Sequence, residues 1–140
     1  MAASPSYRFP DSKKRTPTLL VVEGEVLIRL VIAEYLRRCG FKVVEAVNAA
    51  EAVRVLQSPR MQIDLVFSDL AMPGKLDGFG LAKWVRQHKP GLQVVLVSSD
   101  KKRAETAKNL CQSEPFFANP YRIDVLVAEM RRLIKARRKR

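Results

Sequence analysis

The sequence has few of the features that mark secreted, membrane-spanning or disulfide-bonded proteins. Its two cysteines, Cys39 and Cys111, lie far apart and without CxxC spacing, which argues against a disulfide framework or a thiolate metal site. No apolar run approaches the roughly 20 residues that are needed to cross a bilayer. Residues 1–15 also contain no apolar stretch of the kind found in signal peptides. We therefore expect two free thiols in a cytoplasmic protein.

Acidic residues are scarce as well. The chain has 14 Asp and Glu against 26 Lys and Arg, which gives a formal net charge of +12. Residues 1–16 carry +3 and residues 131–140 carry +7, so residues 17–130 carry only +2. This distribution predicts a nearly neutral folded domain over 17–135, between a flexible basic tail at 1–16 and a second basic tail at 136–140.

Short strand-like runs alternate with longer helix-like segments along the middle of the chain. The strand-like runs are residues 18–23, 42–46, 63–68, 92–98 and 116–118. Apolar residues at steps of three and four predict helices after Gly24, after the capping residue Asn48, through 81–85, over roughly 101–112 and from Arg122. Five strand–helix units in succession predict a parallel sheet with helices on both faces, because such crossovers are right-handed.

Polar side chains follow four of the predicted strands. Glu23, Asp69, the pair Ser98-Ser99 and the pair Asn119-Pro120 each stand where a strand ends. Taken singly, each could simply cap a helix, but parallel strands bring their carboxyl ends to one edge, where ligands bind. Carboxylates and water suit a hard cation such as Mg²⁺. An aspartate beside such a cation can accept a phosphoryl group as a nucleophile.

The segments around these strand ends resemble a known family in their order and spacing. VVEGEVLIR, DLVFSDLAMPG, VVLVSS and FFANPYR resemble the motifs of response regulator receiver domains of two-component signalling, over residues 17–135. The resemblance implies a flavodoxin-like (βα)5 three-layer α/β sandwich with parallel strand order 2-1-3-4-5. It also implies a signalling module rather than an enzyme. Such a module takes its phosphoryl group from a sensor histidine kinase or a phosphotransfer protein.

Position by position, the resemblance assigns roles to five residues. Asp69 resembles the phosphate acceptor and Glu23 the first acidic ligand of Mg²⁺. The backbone carbonyl of Ala71 matches the main-chain metal ligand. Ser98 resembles the hydroxyl residue that turns toward the phosphoryl group on activation. Phe116 matches the aromatic residue that moves inward with that hydroxyl.

Two positions depart from the family pattern. Gly24 stands where a second acidic residue is usual, and Asn119 stands where a lysine is usual; Glu25 lies one residue too far along to replace the lost acid easily. The two losses cancel in charge but not in function, because a hydrogen bond to a charged group is typically worth about 1.5–3 kcal/mol. The pattern predicts weak Mg²⁺ binding and slow phosphorylation of Asp69. It also implies a cis peptide bond at Asn119-Pro120.

A degenerate receiver, which binds proteins without phosphorylation, remains an alternative. In the family the output surface consists of the fourth helix, the fifth strand and the fifth helix. Here this region is basic, which favours an acidic downstream protein; its basic residues are Lys101, Lys102, Arg103, Lys108 and Arg122. Because receivers often pair through this face, a homodimer also stays open.

Binding of nucleic acid through RRLIKARRKR is a further alternative, limited to non-specific contacts with phosphates. No DNA-reading element follows the last helix, so specific DNA recognition is not expected. Enzyme alternatives fit poorly: EGEVLIR lacks the glycine-rich phosphate loop of a flavodoxin, and Ala71 stands where a haloacid dehalogenase-type phosphatase needs a second acid. The lone His88 has no partner at metal-ligand spacing.

Overall fold

A computed structural model describes residues 15–72, 74–98, 116–118 and 122–138. The strands are β1 (Thr18–Val22), β2 (Lys42–Ala46), β3 (Leu65–Asp69), β4 (Gln93–Ser98) and β5 (Phe116–Ala118). The helices are α1 (Val26–Arg38), α2 (Ala49–Gln57), α3 (Gly78–His88) and the C-terminal helix (Ile123–Arg138). The helix predicted at 101–112 lies outside the described residues.

All five strands are parallel and form one sheet in the order β2-β1-β3-β4-β5. This confirms the predicted flavodoxin-like order. The third strand begins at Leu65 rather than at the predicted Ile63. Directly before it, the Asp64 N–H binds the carbonyl of Thr18 at 2.8 Å, and the Asp64 carboxylate binds Arg15 and the Thr18 N–H. At its other end the strand includes Asp69, so the candidate acceptor is itself a strand residue.

Two apolar cores lie on the two faces of the sheet. Alternate residues of β1 divide between them: Leu20 and Val22 pack toward α2 and α3, whereas Leu19 and Val21 pack toward α1 and the C-terminal helix. A strand that is buried on both faces needs apolar side chains at every position. The uninterrupted apolar run at 19–22 is therefore the local cause of the three-layer arrangement.

The first two helices have the boundaries that their sequence signals predict. Gly40, with φ of 98°, follows α1 and takes the left-handed conformation that glycine adopts at no steric cost. At the start of α2 the Asn48 side chain accepts from the N–H of Glu51 at 2.8 Å, and the Glu51 carboxylate accepts from the N–H of Val47 at 3.2 Å. These reciprocal bonds form the predicted capping box.

Residues from both predicted tails contact the start of β3. Arg15, assigned to the first tail, forms a two-pronged ion pair with Asp64, with both distances at 2.8 Å. The C-terminal helix continues to Arg138, beyond the predicted limit at 135, and Arg137 donates to the carbonyl of Ile63 at 3.2 Å. Both departures have one cause, because buried polar groups at the start of β3 need partners.

Among the residues that the structure describes, no helix is both long enough and apolar enough to cross a bilayer.

Candidate functional site

Glu23 and Asp69 meet at the carboxyl edge of the two central strands. Val22 pairs with Ser68 across β1 and β3, so Glu23 and Asp69 occupy the next position of each strand. The backbone N–H of Glu23 also binds the carbonyl of Ala46 at 3.0 Å, which holds Glu23 in line with the sheet. The strand register therefore places Glu23 and Asp69 side by side at this edge of the sheet.

The Glu23 carboxyl group lies in an environment that disfavours its charge. Its residue is 8% exposed, and its Oε2 accepts a hydrogen bond from the Glu25 N–H at 3.0 Å. Burial is the main cause that raises the pKa of Glu23 above its ordinary value. The backbone hydrogen bond from Glu25 lowers this pKa, and repulsion from the Asp69 carboxylate raises it further. A cation placed between the two carboxylates would reverse this effect.

Asp69 is half-buried, and the backbone around it is fixed on both sides. Its Oδ1 accepts a long hydrogen bond from the N–H of Ala71 at 3.4 Å, and its carbonyl accepts from the buried Ser68 hydroxyl at 2.9 Å. The next N–H, of Leu70, binds the carbonyl of Val97 in β4 at 2.8 Å. The segment from Leu70 to Asp77, which we call the acceptor loop, thus starts from an anchored strand end. Its second residue, Ala71, lies beside the Asp69 carboxylate.

The loop returns to Asp69 at the first residue of α3. The N–H of Gly78 binds the carbonyl of Leu70 at 2.9 Å. A Cβ atom at Gly78 would lie 2.5 Å from the carbonyl oxygen of Asp69 and 2.7 Å from the Cα of Leu70. Asp77 caps the helix by accepting from the N–H of Gly80 at 2.9 Å. Sequence reasoning missed this close approach.

Arg29 is a second residue that sequence reasoning missed. From α1 its Nη1 donates to the carbonyl of Glu23 at 2.9 Å, and its Nε donates to the carboxylate of Glu45 at 3.2 Å. The side chain is 12% exposed, so both bonds form largely away from water. Arg29 therefore positions the end of β1. The one sequence signal is its place inside the segment VVEGEVLIR.

The remaining predicted residues are placed only in part. Ser98 is the last residue of β4, one position beyond the Val97 that pairs with Asp69, and Phe116 pairs with Leu96 at the start of β5. The side chains of Ser98 and Phe116 lie outside the described part of the chain. Asn119 and the Asn119–Pro120 peptide bond lie outside it as well, so their roles stay predictions.

The described residues include two carboxylates that could hold a hydrated cation. Mg²⁺ is usually bound by one or two carboxylates together with water and phosphate oxygens, and Glu23 and Asp69 supply two. A third acidic ligand is not in evidence: Gly24 has no carboxylate, and Glu25 is an exposed residue at the start of α1. Within the described ranges no group of three or more Asp, Glu, His or Cys is arranged to hold a metal ion.

Comparison with known sequences gives consistent matches. A family model of the response regulator receiver domain matches residues 19–130. The two-component response regulator-like protein APRR7 of Arabidopsis thaliana is 36% identical over 87 residues, covering 61% of this chain and 12% of that protein. Its counterpart PRR73 of Oryza sativa is 31% identical over 111 residues, covering 77% of this chain and 14% of that protein. The chain thus spans only a small part of the length of these relatives.

Solved structures show the same fold. A response regulator receiver protein from Sinorhizobium medicae superposes with a TM-score of 0.78 at 25% identity, covering 87% of this chain and 97% of that one. The response regulator TrrA from Thermotoga maritima, in complex with Mg²⁺ and BeF, gives a TM-score of 0.74 at 24% identity, covering 84% and 99%, and shows likeness of fold alone. With the family model spanning residues 19–130 and this shared architecture, the chain belongs to the response regulator receiver domain family.

Proposed function

We propose that this receiver domain acts in two-component phosphorelay signalling in the cytoplasm and accepts a phosphoryl group on Asp69. The donor would be a phosphorylated histidine of a sensor kinase or of a phosphotransfer protein. The single observation that supports this most is the pairing of Glu23 and Asp69 at the carboxyl edge of β1 and β3. Receiver domains are signalling modules, and no enzymatic turnover is proposed.

In the proposed step a carboxylate oxygen of Asp69 attacks the phosphorus atom of the donor. The new O–P bond forms as the P–N bond to the donor histidine breaks, and the imidazole nitrogen leaves with the electron pair and takes up a proton. Glu23, Asp69 and the carbonyl of Ala71 would hold Mg²⁺. When bound, this ion neutralises the charge of the phosphoryl oxygens. The N–H of Ala71, beside Asp69, is a further donor at the reacting centre.

The two departures from the family pattern lead us to propose that this reaction is slow. Gly24 removes a carboxylate that would hold the metal ion, and Asn119 replaces a charged partner of the phosphoryl oxygens. Each loss of a charged hydrogen-bond partner costs about 1.5–3 kcal/mol, which is about 10- to 150-fold in an equilibrium. Ser98 and Phe116 remain the proposed switch residues.

Intact-mass spectrometry after incubation with Mg²⁺ and acetyl phosphate tests the proposal. We expect slow addition of one phosphoryl group, its loss in Asp69→Asn and its retention in Asp124→Asn, a matched exposed carboxylate at the same end of the molecule. Modification that survives Asp69→Asn would refute the assignment of the acceptor. Rapid stoichiometric modification would instead refute the proposal that the reaction is slow, and Asp69 would remain the proposed acceptor.

A degenerate receiver that binds proteins without phosphorylation is the second candidate. It is favoured by the state of Glu23, whose Oε2 is already bound by a backbone N–H and whose pKa is raised by burial. Its downstream partner would be an acidic protein that contacts the fourth-helix, β5 and C-terminal helix face, with Arg122 at its edge; the same face would serve a homodimer. Titration calorimetry with millimolar Mg²⁺ separates the two candidates. A phosphorylated receiver should bind Mg²⁺ with a measurable heat that is lost in Asp69→Asn, whereas a degenerate receiver should show no such heat.

A further inference from the structure

The end of the sheet opposite Glu23 and Asp69 concentrates positive charge. Here the strands begin and the helices end, and we call this surface the basic end: residues 15–18, 37–42, 57–64, 86–92 and 134–137. These segments contain nine Lys and Arg and one acidic residue, Asp64, a net charge of +8. The described segments at the Glu23–Asp69 edge, 23–27, 46–51, 69–72, 74–78 and 122–126, contain six acidic and two basic residues, a net charge of −4.

Hydrogen bonds join four segments of the basic end, and the pairing of Leu65 with Gln93 places the fifth, 86–92, beside 57–64. The N–H of Lys42 binds the carbonyl of Pro17 at 2.9 Å, and Arg137 donates to the carbonyl of Ile63 at 3.2 Å. Arg131 of the C-terminal helix also donates to the carbonyl of Cys39, at the end of α1. The charges therefore belong to neighbouring parts of one face rather than to separate patches.

The single acidic residue of the basic end cannot offset this charge. Asp64 is 5% exposed, and its two oxygens accept from Arg15 at 2.8 Å each, while Oδ2 also accepts from the Thr18 N–H at 2.7 Å. This ion pair neutralises Arg15. At the rim, Arg37 lies 3.2 Å from Glu45 and Arg38 lies 3.4 Å from Glu34, in exposed or half-exposed pairs that contribute little.

Helix stability explains only part of the pattern. Basic residues in a last helical turn interact favourably with the helix dipole, which accounts for Arg37, Arg38 and Arg86. Lys42 lies in a strand and Arg60 in the connection before β3, so this explanation does not reach them. Both are exposed, as is Lys89 after α3. Like charges on one face repel one another and destabilise the fold, so a ligand of opposite charge is the better explanation.

We propose that the basic end binds the phosphate backbone of double-stranded DNA without sequence preference. Duplex DNA presents one negative charge per about 1.7 Å of its axis, which suits a broad basic face. An anionic bilayer or an acidic protein would also need apolar anchors. Of the large exposed apolar side chains that the structure describes, only Met61 lies in this surface. Single-stranded DNA is disfavoured, because Phe41, the aromatic residue of the basic end, is buried and cannot stack on bases.

The charge separation also sets the orientation of the bound protein. With the basic end on DNA, the acidic Glu23–Asp69 edge points away from the phosphates that would repel it. Asp69 would then stay accessible to a phosphate donor while the domain is bound. This binding surface is independent of whether Asp69 is phosphorylated.

Fluorescence anisotropy with a labelled mixed-sequence DNA duplex tests the proposal on the full chain. Lys42→Glu, Arg60→Glu and Lys89→Glu together should weaken binding at least tenfold and lower the slope of log K against log salt by about 2.7, or 0.9 per lost contact. The control Lys75→Glu, Lys83→Glu and Arg122→Glu changes net charge equally at other exposed positions. It should change affinity less than threefold.

Four results would overturn the proposal. These are equal weakening by both triple variants, tighter binding to a single strand, tighter binding to phosphatidylserine vesicles, and no duplex binding at micromolar protein in low salt. Circular dichroism melting verifies that both variants fold. The acetyl phosphate reaction on the same variants keeps the two proposals separate, since neither triple variant alters Glu23 or Asp69.

Discussion

Replacing Gly78 with alanine should disturb the acceptor loop more than any other single methyl group added in this region. The new Cβ would lie 2.5 Å from the carbonyl oxygen of Asp69 and 2.7 Å from the Cα of Leu70. Both atoms belong to the backbone of a strand end that is bonded into the sheet, so neither can turn aside as a side chain would. The first turn of α3 must therefore move away from β3.

The expected size of the effect follows from these two contacts. Overpacking by one added group in a close-packed region costs about 1–3 kcal/mol. Alanine has a higher helix propensity than glycine, by about 1 kcal/mol in a helix interior. At the first helical position this gain offsets little of the overpacking cost. Gly80 offers a matched control, since its added Cβ would meet mainly the flexible Leu76 side chain, with Cδ2 at 2.8 Å. Gly80→Ala should therefore be neutral or stabilising.

Urea unfolding followed by circular dichroism measures this difference. Gly78→Ala should be less stable than the parent protein by about 1–3 kcal/mol, and Gly80→Ala should not be. The rate of Asp69 modification by acetyl phosphate should also fall in Gly78→Ala, because the loop carrying Ala71 shifts with the helix. If Gly78→Ala proves as stable as Gly80→Ala, the described packing of α3 against the acceptor loop is incorrect.

Three further predictions concern the carboxylates of the domain. Gly24→Asp should restore the second acidic ligand and raise Mg²⁺ affinity about tenfold, which is about 1.4 kcal/mol, in titration calorimetry; Val26→Asp, at the same exposed edge, should not. Because the pKa of Glu23 is raised in the folded state, its charge opposes folding once the pH exceeds the pKa of the unfolded chain. Without Mg²⁺, Glu23→Gln should therefore stabilise the protein against urea at pH 7 and lose that advantage at acidic pH. An equal gain in stability at both pH values would show that the charge of Glu23 is not what opposes folding. Asp64→Ala removes the acceptor of the half-buried Thr18 N–H and should cost about 1–3 kcal/mol of stability against urea. Glu34→Ala, which breaks an exposed pair, should cost less than about 0.5 kcal/mol in the same measurement.

The fold could be predicted because its causes are local. The apolar runs at 19–22 and 65–67 are continuous, as strands buried on both faces require. Gly40 and Asn48 each end or start a helix through bonds to near neighbours. Such signals need only a few adjacent residues, and they survive in a single sequence.

The pairing of Glu23 with Asp69 could also be predicted, because parallel strands bring their ends to one edge. The contacts that shape the site depend instead on distances that no pattern encodes. Arg29 bonds across to Glu45, and Gly78 approaches Asp69 only after the loop has closed. Their residue types are unremarkable in sequence, so only the folded chain distinguishes them.

The start of β3 is also where the two outer segments of the described chain meet. Arg15 binds the Asp64 carboxylate, and Arg137 donates to the carbonyl of Ile63 one residue earlier. A domain whose first and last segments adjoin can be circularly permuted or inserted into a loop of another protein without a long linker. The exposed turn at Pro90-Gly91, far from Glu23 and Asp69, is then a suitable site for new ends, with the phosphate-acceptor edge left undisturbed.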